Sequence, residues 1–240
     1  MRQTWIIAKR ELSTFFDSLI AYIMLIAFLG FSGFFTWLYG SDVFFIGQAS
    51  LQAFFSIAYW TLFFFIPALT MRLLAEENRS GTLELLLTRP VSDSQVVWGK
   101  FLSALILILI ALALTLPYYV TVSSIGNIDH GAVISGYFGL LLMSAAYIGI
   151  GLFTSAISSN QIVGFLLALF IGILFHIIFS VLGSSLSGFP ARLFHFLSVS
   201  THFESITRGV IDTKDIIYFL SIALLGIAAT ESTLQARRHS

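Results

Sequence analysis

Six apolar segments, each about as long as a bilayer is thick, constrain this chain more than any other feature of its sequence. They cover residues 19–39, 51–74, 101–122, 132–154, 162–183 and 216–234. A helix needs about 20 apolar residues to cross the hydrocarbon core. Because the apolar residues are continuous rather than alternating, helices are favoured over barrel strands. The sequence therefore predicts an all-α integral membrane protein with six transmembrane helices, numbered here as spans one to six.

The composition also indicates a membrane protein. Of the 240 residues, 58% are hydrophobic and only 10% are charged, whereas an average soluble domain has about 25% charged residues. The absence of cysteine excludes a disulfide framework and thiol catalysis. A net charge of zero gives no general attraction to nucleic acid. We expect a single transmembrane domain over residues 1–240 that contacts membrane lipid and no nucleic acid.

Lysine and arginine residues concentrate on one side of the predicted spans. Nine lie near the N-terminus, in or beside the loop between spans two and three, and at the C-terminus: Arg2, Lys9, Arg10, Arg72, Arg79, Arg89, Lys100, Arg237 and Arg238. Three lie on the other side, namely Arg192, Arg208 and Lys214. Because cytoplasmic loops carry the excess of positive charge, we expect both termini and the loop at residues 76–100 to face the cytoplasm.

The first 17 residues carry an amphipathic pattern. Trp5, Ala8, Leu12 and Phe15 recur at helical spacing, which predicts an N-terminal helix lying at the membrane interface. The alternative is an extended cytoplasmic start of span one.

The segment at residues 184–214 is a long outer loop with helical signals of its own. Thr201 with Glu204 predicts a capping box, and Gly209 predicts a helix end. Thr213 is the expected cap of span six. We therefore expect short, re-entrant-like helices on the outer side, before span six.

The loop at residues 76–100, called the insert below, carries seven charged residues between two apolar spans. Gly81 predicts a break, because glycine tolerates a sharp backbone turn. The next two helical turns place Leu83, Leu86 and Leu87 on one face and Glu84 and Thr88 on another. The insert therefore contains a short amphipathic helix outside the membrane.

Pro90 ends that short helix, and Ser92 with Gln95 predicts a capping box that opens the next one. A helix of two turns is not stable alone in water, so packing must hold it. In one interpretation, its leucine face packs on lipid headgroups or on the protein's own helix bundle. In the other, it binds in a groove on a cytoplasmic partner. The residue pattern leaves both possibilities open.

The spans offer little for chemistry or for ion coupling. His176 in span five is the one ionisable candidate there, and a lone histidine in a span is more often a packing residue than a coupling group. Pro67 and Pro117 predict bends in spans two and three, either for gating or as fixed kinks. No GxxxxGK[ST] phosphate loop occurs in the sequence. Any uphill transport therefore needs energy from another chain.

The spans, the amphipathic start and the insert together resemble the permease subunits of type-2 ABC transporters, over essentially the whole chain. The most specific part is Glu76-Glu77, then Gly81-Thr82-Leu83-Glu84-Leu85-Leu86-Leu87, then Pro90 and Gly99-Lys100. Residues 208–212 resemble the lid-like element that precedes span six in this family. Residues 66–72, 81–87 and 159–163 are most similar to the gliding-motility permease subunit of Bacteroidetes.

The resemblance implies that the insert is the coupling helix that docks on an ATPase. The residues implied in docking are Glu76, Glu77, Gly81, Thr82, Leu83, Glu84, Leu86, Leu87 and Pro90. It implies two ABC ATPase subunits that bind ATP and magnesium, no cofactor in this chain, and a second permease subunit, with a heterodimer favoured. It also implies an exporter-type complex of the bacterial inner membrane, linked to gliding motility or cell-envelope transport.

Two other functions are alternatives. A transport-inactive scaffold or mechanical anchor on the same fold would have the same sequence pattern. An intramembrane protease is disfavoured, because Arg79 follows Glu76 and Glu77 too closely for the EExxxR pattern of the prenyl-protease type. The spans carry too few polar groups to indicate a substrate.

Overall fold

The computed structural model describes residues 2–39, 49–81 and 91–238, and all regular structure in these ranges is helical. In chain order the helices are α1 (Arg2–Asp17), α2 (Ile20–Trp37), α3 (Gln52–Thr70), α4 (Arg72–Ser80), α5 (Asp93–Ala113), α6 (Leu116–Ile125), α7 (His130–Ile157), α8 (Gln161–Ile173), α9 (Phe179–Ser185), α10 (Phe189–Leu197), α11 (Val199–Thr207) and α12 (Thr213–Arg238). A π-helical turn, Leu174–Ile178, joins α8 to α9. The predicted all-α class is confirmed.

In the described part of the chain, six helical segments are long and apolar enough to cross a membrane, which confirms the six predicted spans. They are Ile20–Trp37, Gln52–Ser80, Asp93–Ile125, His130–Ile157, Gln161–Ser185 and Thr213–Arg237. Spans two, three and five are each made of two helices in series. We call the end of the bundle that carries Gly81 and Ser92 the insert end, and the end that carries Leu51 and Thr213 the far end.

Span four is the centre of the bundle. Most of α7 is buried, and its small residues allow two neighbouring helices to approach closely. A Cβ built on Gly226 of α12 would lie 2.3 Å from the carbonyl carbon of Gly149 in α7. A Cβ built on Gly151 would overlap Thr70 of α3. The small-residue face of span four therefore packs spans six and two directly against it.

The N-terminal helix is separate from span one. α1 ends at Asp17, and Leu19 adopts a left-handed conformation (φ 59°) before α2 begins. Ala8 and Phe15 of α1 are buried, whereas Trp5 is exposed. A Cβ on Gly99 of α5 would lie 2.6 Å from a methyl group of Ile7. The predicted helix therefore packs on the start of span three rather than extending span one.

The local signals that flank the insert are confirmed. Gly81 has a left-handed conformation (φ 68°) at the end of α4. Ser92 and Gln95 form the predicted capping box, with both backbone-to-side-chain hydrogen bonds at 3.3 Å. The predicted short helix, with Thr82, Leu83, Glu84, Leu86, Leu87 and Pro90, lies outside the described residues.

Both predicted kink prolines lie next to breaks in their spans. Pro67 is inside α3, which ends three residues later, before Met71. Pro117 is the second residue of α6, which follows the end of α5 at Ala113. Proline lacks the amide hydrogen and crowds the preceding turn, which accounts for the end of α5 four residues before Pro117. The break in span two lies after Pro67, at Met71, so this effect of proline does not account for it. The gating role of these prolines stays a prediction.

The outer segment forms two short helices before span six, as expected, but two of its predicted caps are wrong. Ser198, not Thr201, is the cap of α11, because its hydroxyl accepts from the backbone N–H of Thr201. Asp212, not Thr213, precedes α12 and accepts from the N–H of Lys214. In each case a polar residue just upstream reaches the first free N–H groups of the helix.

Candidate coupling site

A buried ion-pair cluster joins the two ends of the insert. Lys100, at the start of span three, is 1% exposed, and its Nζ lies 2.7 Å from Oε1 of Glu77 in α4. Nζ also lies 3.4 Å from Oε1 of Glu11 in α1. Arg10 forms a second ion pair with Glu11 at 2.9 Å. The cluster therefore connects the N-terminal helix, the end of span two and the start of span three.

The two cations keep Glu11 ionised. Burial alone would raise the pKa of Glu11, but attraction to Lys100 and the hydrogen bond from Arg10 outweigh it, so the pKa lies below its ordinary value of 4.5. An ionised Glu11 facing Lys100 attracts α1 to the start of span three. The attraction is strong because Lys100 is removed from solvent.

Asn78 in α4 connects span two to spans four and six. Its side-chain amide donates to the carbonyl groups of Ala156 and Ser158, at 3.1 and 3.0 Å. Its Oδ1 accepts from Arg237 near the end of α12, at 2.8 Å. The side chain of Asn78 thus connects α4, which leads into the insert, to spans four and six.

Ser155 of span four completes the hydrogen bonding at the break in span two. Its hydroxyl accepts from the N–H groups of Leu74 and Ala75, both at 3.0 Å, and donates to the carbonyl of Met71 at 2.9 Å. In a continuous helix these N–H groups would bond to the residues four positions earlier. The hydroxyl of Ser155 therefore replaces part of the backbone hydrogen bonding at the break between α3 and α4.

These contacts make α4 a base that is tied to α1 and to spans three, four and six. Glu77, Asn78 and Ser155 make the contacts that tie α4 to its neighbours. Within the described ranges, no group of three or more His, Cys, Asp or Glu side chains could hold a metal ion.

The residues predicted for docking differ in how exposed their side chains are. Glu76 is half exposed and pairs with Arg72 of the same helix at 3.3 Å, so it is accessible to a partner. Glu77 is instead turned inward, with its side chain 19% exposed. Gly81 marks the point where α4 ends.

The sequence did not indicate Asn78, Ser155 or Arg237 as members of this site. Each joins segments about 80 to 160 positions apart in the chain, and no local pattern reports such a pairing. The ion pair between Glu77 and Lys100 was weakly indicated by the sequence, because opposite charges lie near the two ends of the insert.

His176 is a packing residue in the described structure. It lies in the π-helical turn of span five and is 2% exposed, with its Nδ1 2.8 Å from the hydroxyl of Tyr147. Its ring stacks on Tyr59 and Phe63, with centroids 4.0 and 4.3 Å away. These contacts hold spans two, four and five together near the far end.

The chain was compared with models of known protein families. A model of the family described as ABC-2 family transporter protein matches residues 43–230, which include the insert and spans two to six. No curated protein matches the chain.

Proposed function

The chain belongs to the ABC-2 family of transporter proteins, and we propose that its insert is the site where an ABC ATPase docks and drives the complex. Family membership makes the chain a transmembrane subunit of an ABC transporter. Such a subunit obtains its energy from a separate ATPase, and the described chain supplies a mechanical path from that ATPase into the spans.

One observation carries this proposal: the buried contact of Lys100 with Glu77 and Glu11. Three charged side chains at the membrane edge are costly to desolvate. Their burial at the base of the insert fits a point that must resist being pulled apart. A force on the insert would then move α1 and spans two and three as one unit.

The proposal extends to the rest of the complex. Two ATPase subunits bind ATP and magnesium, and a second permease subunit, preferably a different chain, completes the membrane part. Glu76, Gly81 and the residues 82–90 contact the ATPase, with the leucine face in its groove. Pro67 and Pro117 let spans two and three change their bend.

The orientation follows from the charges. The insert end carries Lys100, Arg237 and the N-terminal helix, so by the positive-inside rule it faces the cytoplasm. We place the complex in the bacterial inner membrane, as an exporter-type system linked to gliding motility or to cell-envelope transport. A single domain over residues 1–240 forms its permease half.

The experiment is purification of the chain from its native membrane in mild detergent, followed by mass analysis of the proteins that co-elute. We expect an ABC ATPase and a second permease in stoichiometric amounts, and ATP hydrolysis by the purified complex. Absence of any ATPase would overturn the docking proposal and favour the scaffold alternative. An active ATPase with no cargo movement in vesicles would favour the mechanical anchor.

A further inference from the structure

A cavity of about 700 Å³ lies at the far end of the bundle, away from the insert. It is bounded by the end of span five, the short helices α10 and α11, and the start of span six. Its lining includes His202, Glu204, Arg208, Lys214 and Asp215. Nothing in the proposed coupling mechanism uses this cavity.

Asp215 is the buried acid of this cavity. It is 0% exposed, and its Oδ1 lies 2.6 Å from Nδ1 of His202. Its other oxygen, Oδ2, is buried without a hydrogen-bond partner in the part of the chain that the structure describes. A buried carboxylate oxygen left without a donor costs free energy, so Oδ2 needs a donor from outside the described chain.

The tautomer of His202 indicates whether the missing partner of Asp215 Oδ2 is a hydrogen-bond donor or an acceptor. Its Nε2 lies 2.8 Å from the carbonyl oxygen of Phe196, and a carbonyl cannot donate, so Nε2 carries a hydrogen. One proton is then shared between Nδ1 and Oδ1 of Asp215. Wherever in that short bond the proton lies, Oδ2 is an acceptor. The missing partner is therefore a hydrogen-bond donor.

The mouth of the cavity carries charges of both signs. Arg208 lies 3.9 Å from Glu204, and Lys214 lies 3.0 Å from Asp212, and all four side chains are exposed. Arg208 and Lys214 at the mouth can bind an anion, and Oδ2 of Asp215 in the wall can accept a hydrogen bond from a cation. A ligand that carries both an anionic group and an N–H cation, a few bonds apart, would satisfy both. A phosphate joined to a primary ammonium has this arrangement.

The surroundings favour a membrane source for that group. Phe196 and Val210 line the cavity and are more than half exposed. α10 has no buried residue and exposes Phe189 and Leu193 as well. An exposed apolar surface next to a polar cavity is suited to a lipid, whose acyl chains cover the apolar side chains while its headgroup enters the cavity.

We propose that the cavity beside Asp215 binds the phosphoethanolamine headgroup of a membrane phospholipid, with the ammonium on Asp215 Oδ2 and the phosphate near Arg208 and Lys214. This site is separate from ATPase docking, and it depends neither on a bound ATPase nor on which face of the membrane is cytoplasmic.

The test is native mass spectrometry of the full chain, purified in detergent with whatever subunits accompany it. The probes are phosphatidylethanolamine, phosphatidylcholine and phosphatidylglycerol with identical acyl chains. Choline keeps the positive charge but has no N–H, and glycerol has hydroxyl donors but no cation. We expect phosphatidylethanolamine to bind about tenfold more tightly than either, the ratio that one charge-assisted hydrogen bond supplies. Equal binding of the ethanolamine and choline lipids would mean that water satisfies Oδ2, and would overturn the proposal.

Variants assign the preference to this cavity. Asp215→Ala removes both carboxylate oxygens, so the preference for the ethanolamine lipid should disappear. Asp129→Asn, another acid near the far end but outside this cavity, should leave it intact. Retention of the preference in Asp215→Ala would overturn the site.

A third variant does not alter the buried pair. Arg208→Gln should weaken binding of all three lipids while their order stays the same, and unchanged binding of all three would contradict a phosphate near Arg208. Free phosphoethanolamine separates the two sources of the headgroup. If it binds as tightly as the lipid, the apolar surface contributes nothing and a lipid ligand is excluded.

Discussion

Lys100 Nζ lies 2.7 Å from Glu77 Oε1, and this contact joins the helix that leads into the insert to the helix that leads out of it. Glu11 approaches the same ammonium from the N-terminal helix. A displacement that keeps these contacts intact would therefore move the three helices together. The geometry therefore explains how a segment outside the membrane could move several spans together.

Removing the shared cation should destabilise this end of the bundle. Lys100→Met leaves Glu77 without its counter-charge and Glu11 with Arg10 alone. We expect a loss of about 1–3 kcal/mol, below the full value for buried pairs because Glu77 is partly exposed. The measurement is thermal unfolding in detergent. The control is Glu76→Gln, which breaks an i,i+4 surface pair with Arg72 and should change stability by less than about 0.5 kcal/mol. Equal melting of both variants and the wild type would contradict the cluster's role.

The docking of α1 should depend on pH through Glu11. The docked pKa of Glu11 is below its ordinary value of 4.5, so the ionised form stabilises docking. That stabilisation is complete above pH 4.5 and is lost as the pH falls through the lowered docked value. Hydrogen exchange of α1, corrected for intrinsic rates, should therefore rise as the pH falls below about 4.5. In Glu11→Gln the protection of α1 should be weaker at neutral pH and independent of pH, and an unchanged profile in this variant would rule the mechanism out.

The hydroxyl of Ser155 should be needed at the break in span two. Ser155→Ala leaves the buried N–H groups of Leu74 and Ala75 without their acceptor, which should cost about 2–3 kcal/mol. Ser221→Ala is the control, because Ser221 is exposed and bonds only within its own helix turn. Its effect should stay within about 0.5 kcal/mol. Unfolding temperatures that fall equally in the two variants would contradict a special role for Ser155.

The contact between spans four and six should tolerate no side chain at its closest point. A methyl group on Gly226 would overlap the backbone of Gly149, so Gly226→Ala should separate the helices and destabilise the protein by more than about 2 kcal/mol. Gly30→Ala in span one meets no described residue within 4 Å and should be neutral or slightly stabilising, because alanine favours helix. The comparison needs only the two melting curves. A Gly226→Ala protein as stable as Gly30→Ala would show that the spans do not pack this closely.

The sequence predicted those parts of the fold that depend on local chemistry. Span lengths follow from the thickness of the bilayer, and the ends at Gly81 and Ser92 follow from backbone geometry and capping. The cap of α11 was misplaced because Ser198 and Thr201 are both good capping residues. Ser198 directly follows the end of α10, so α11 begins at the first position available to it.

The contacts of the candidate coupling site could not be predicted in the same way. Ser155 acts on a backbone break more than 80 residues earlier, and Asn78 meets Arg237 across 159 positions. Such pairings depend on which helices become neighbours after folding. Hydrophobic periodicity does not specify neighbours when the spans are apolar on most sides. The cavity beside Asp215 was missed for the same reason.

The most direct test of the account compares ATPase recovery from two glycine variants. Gly81 and Gly188 both have a positive φ (68° and 72°), and no described residue lies within 4 Å of a Cβ at either position. Proline, with its fixed φ near −65°, cannot adopt either backbone. Gly81 lies at the insert end and Gly188 at the far end, before α10.

The measurement is the ratio of ABC ATPase to this chain after purification from native membranes. We predict that Gly81→Pro lowers this ratio at least about fivefold, as a loss of about 1 kcal/mol in binding would, and that Leu86→Asp does the same. Gly188→Pro should retain the wild-type ratio, and all three chains should stay folded in the membrane. Equal recovery of the ATPase with Gly81→Pro and Gly188→Pro would contradict docking at the insert.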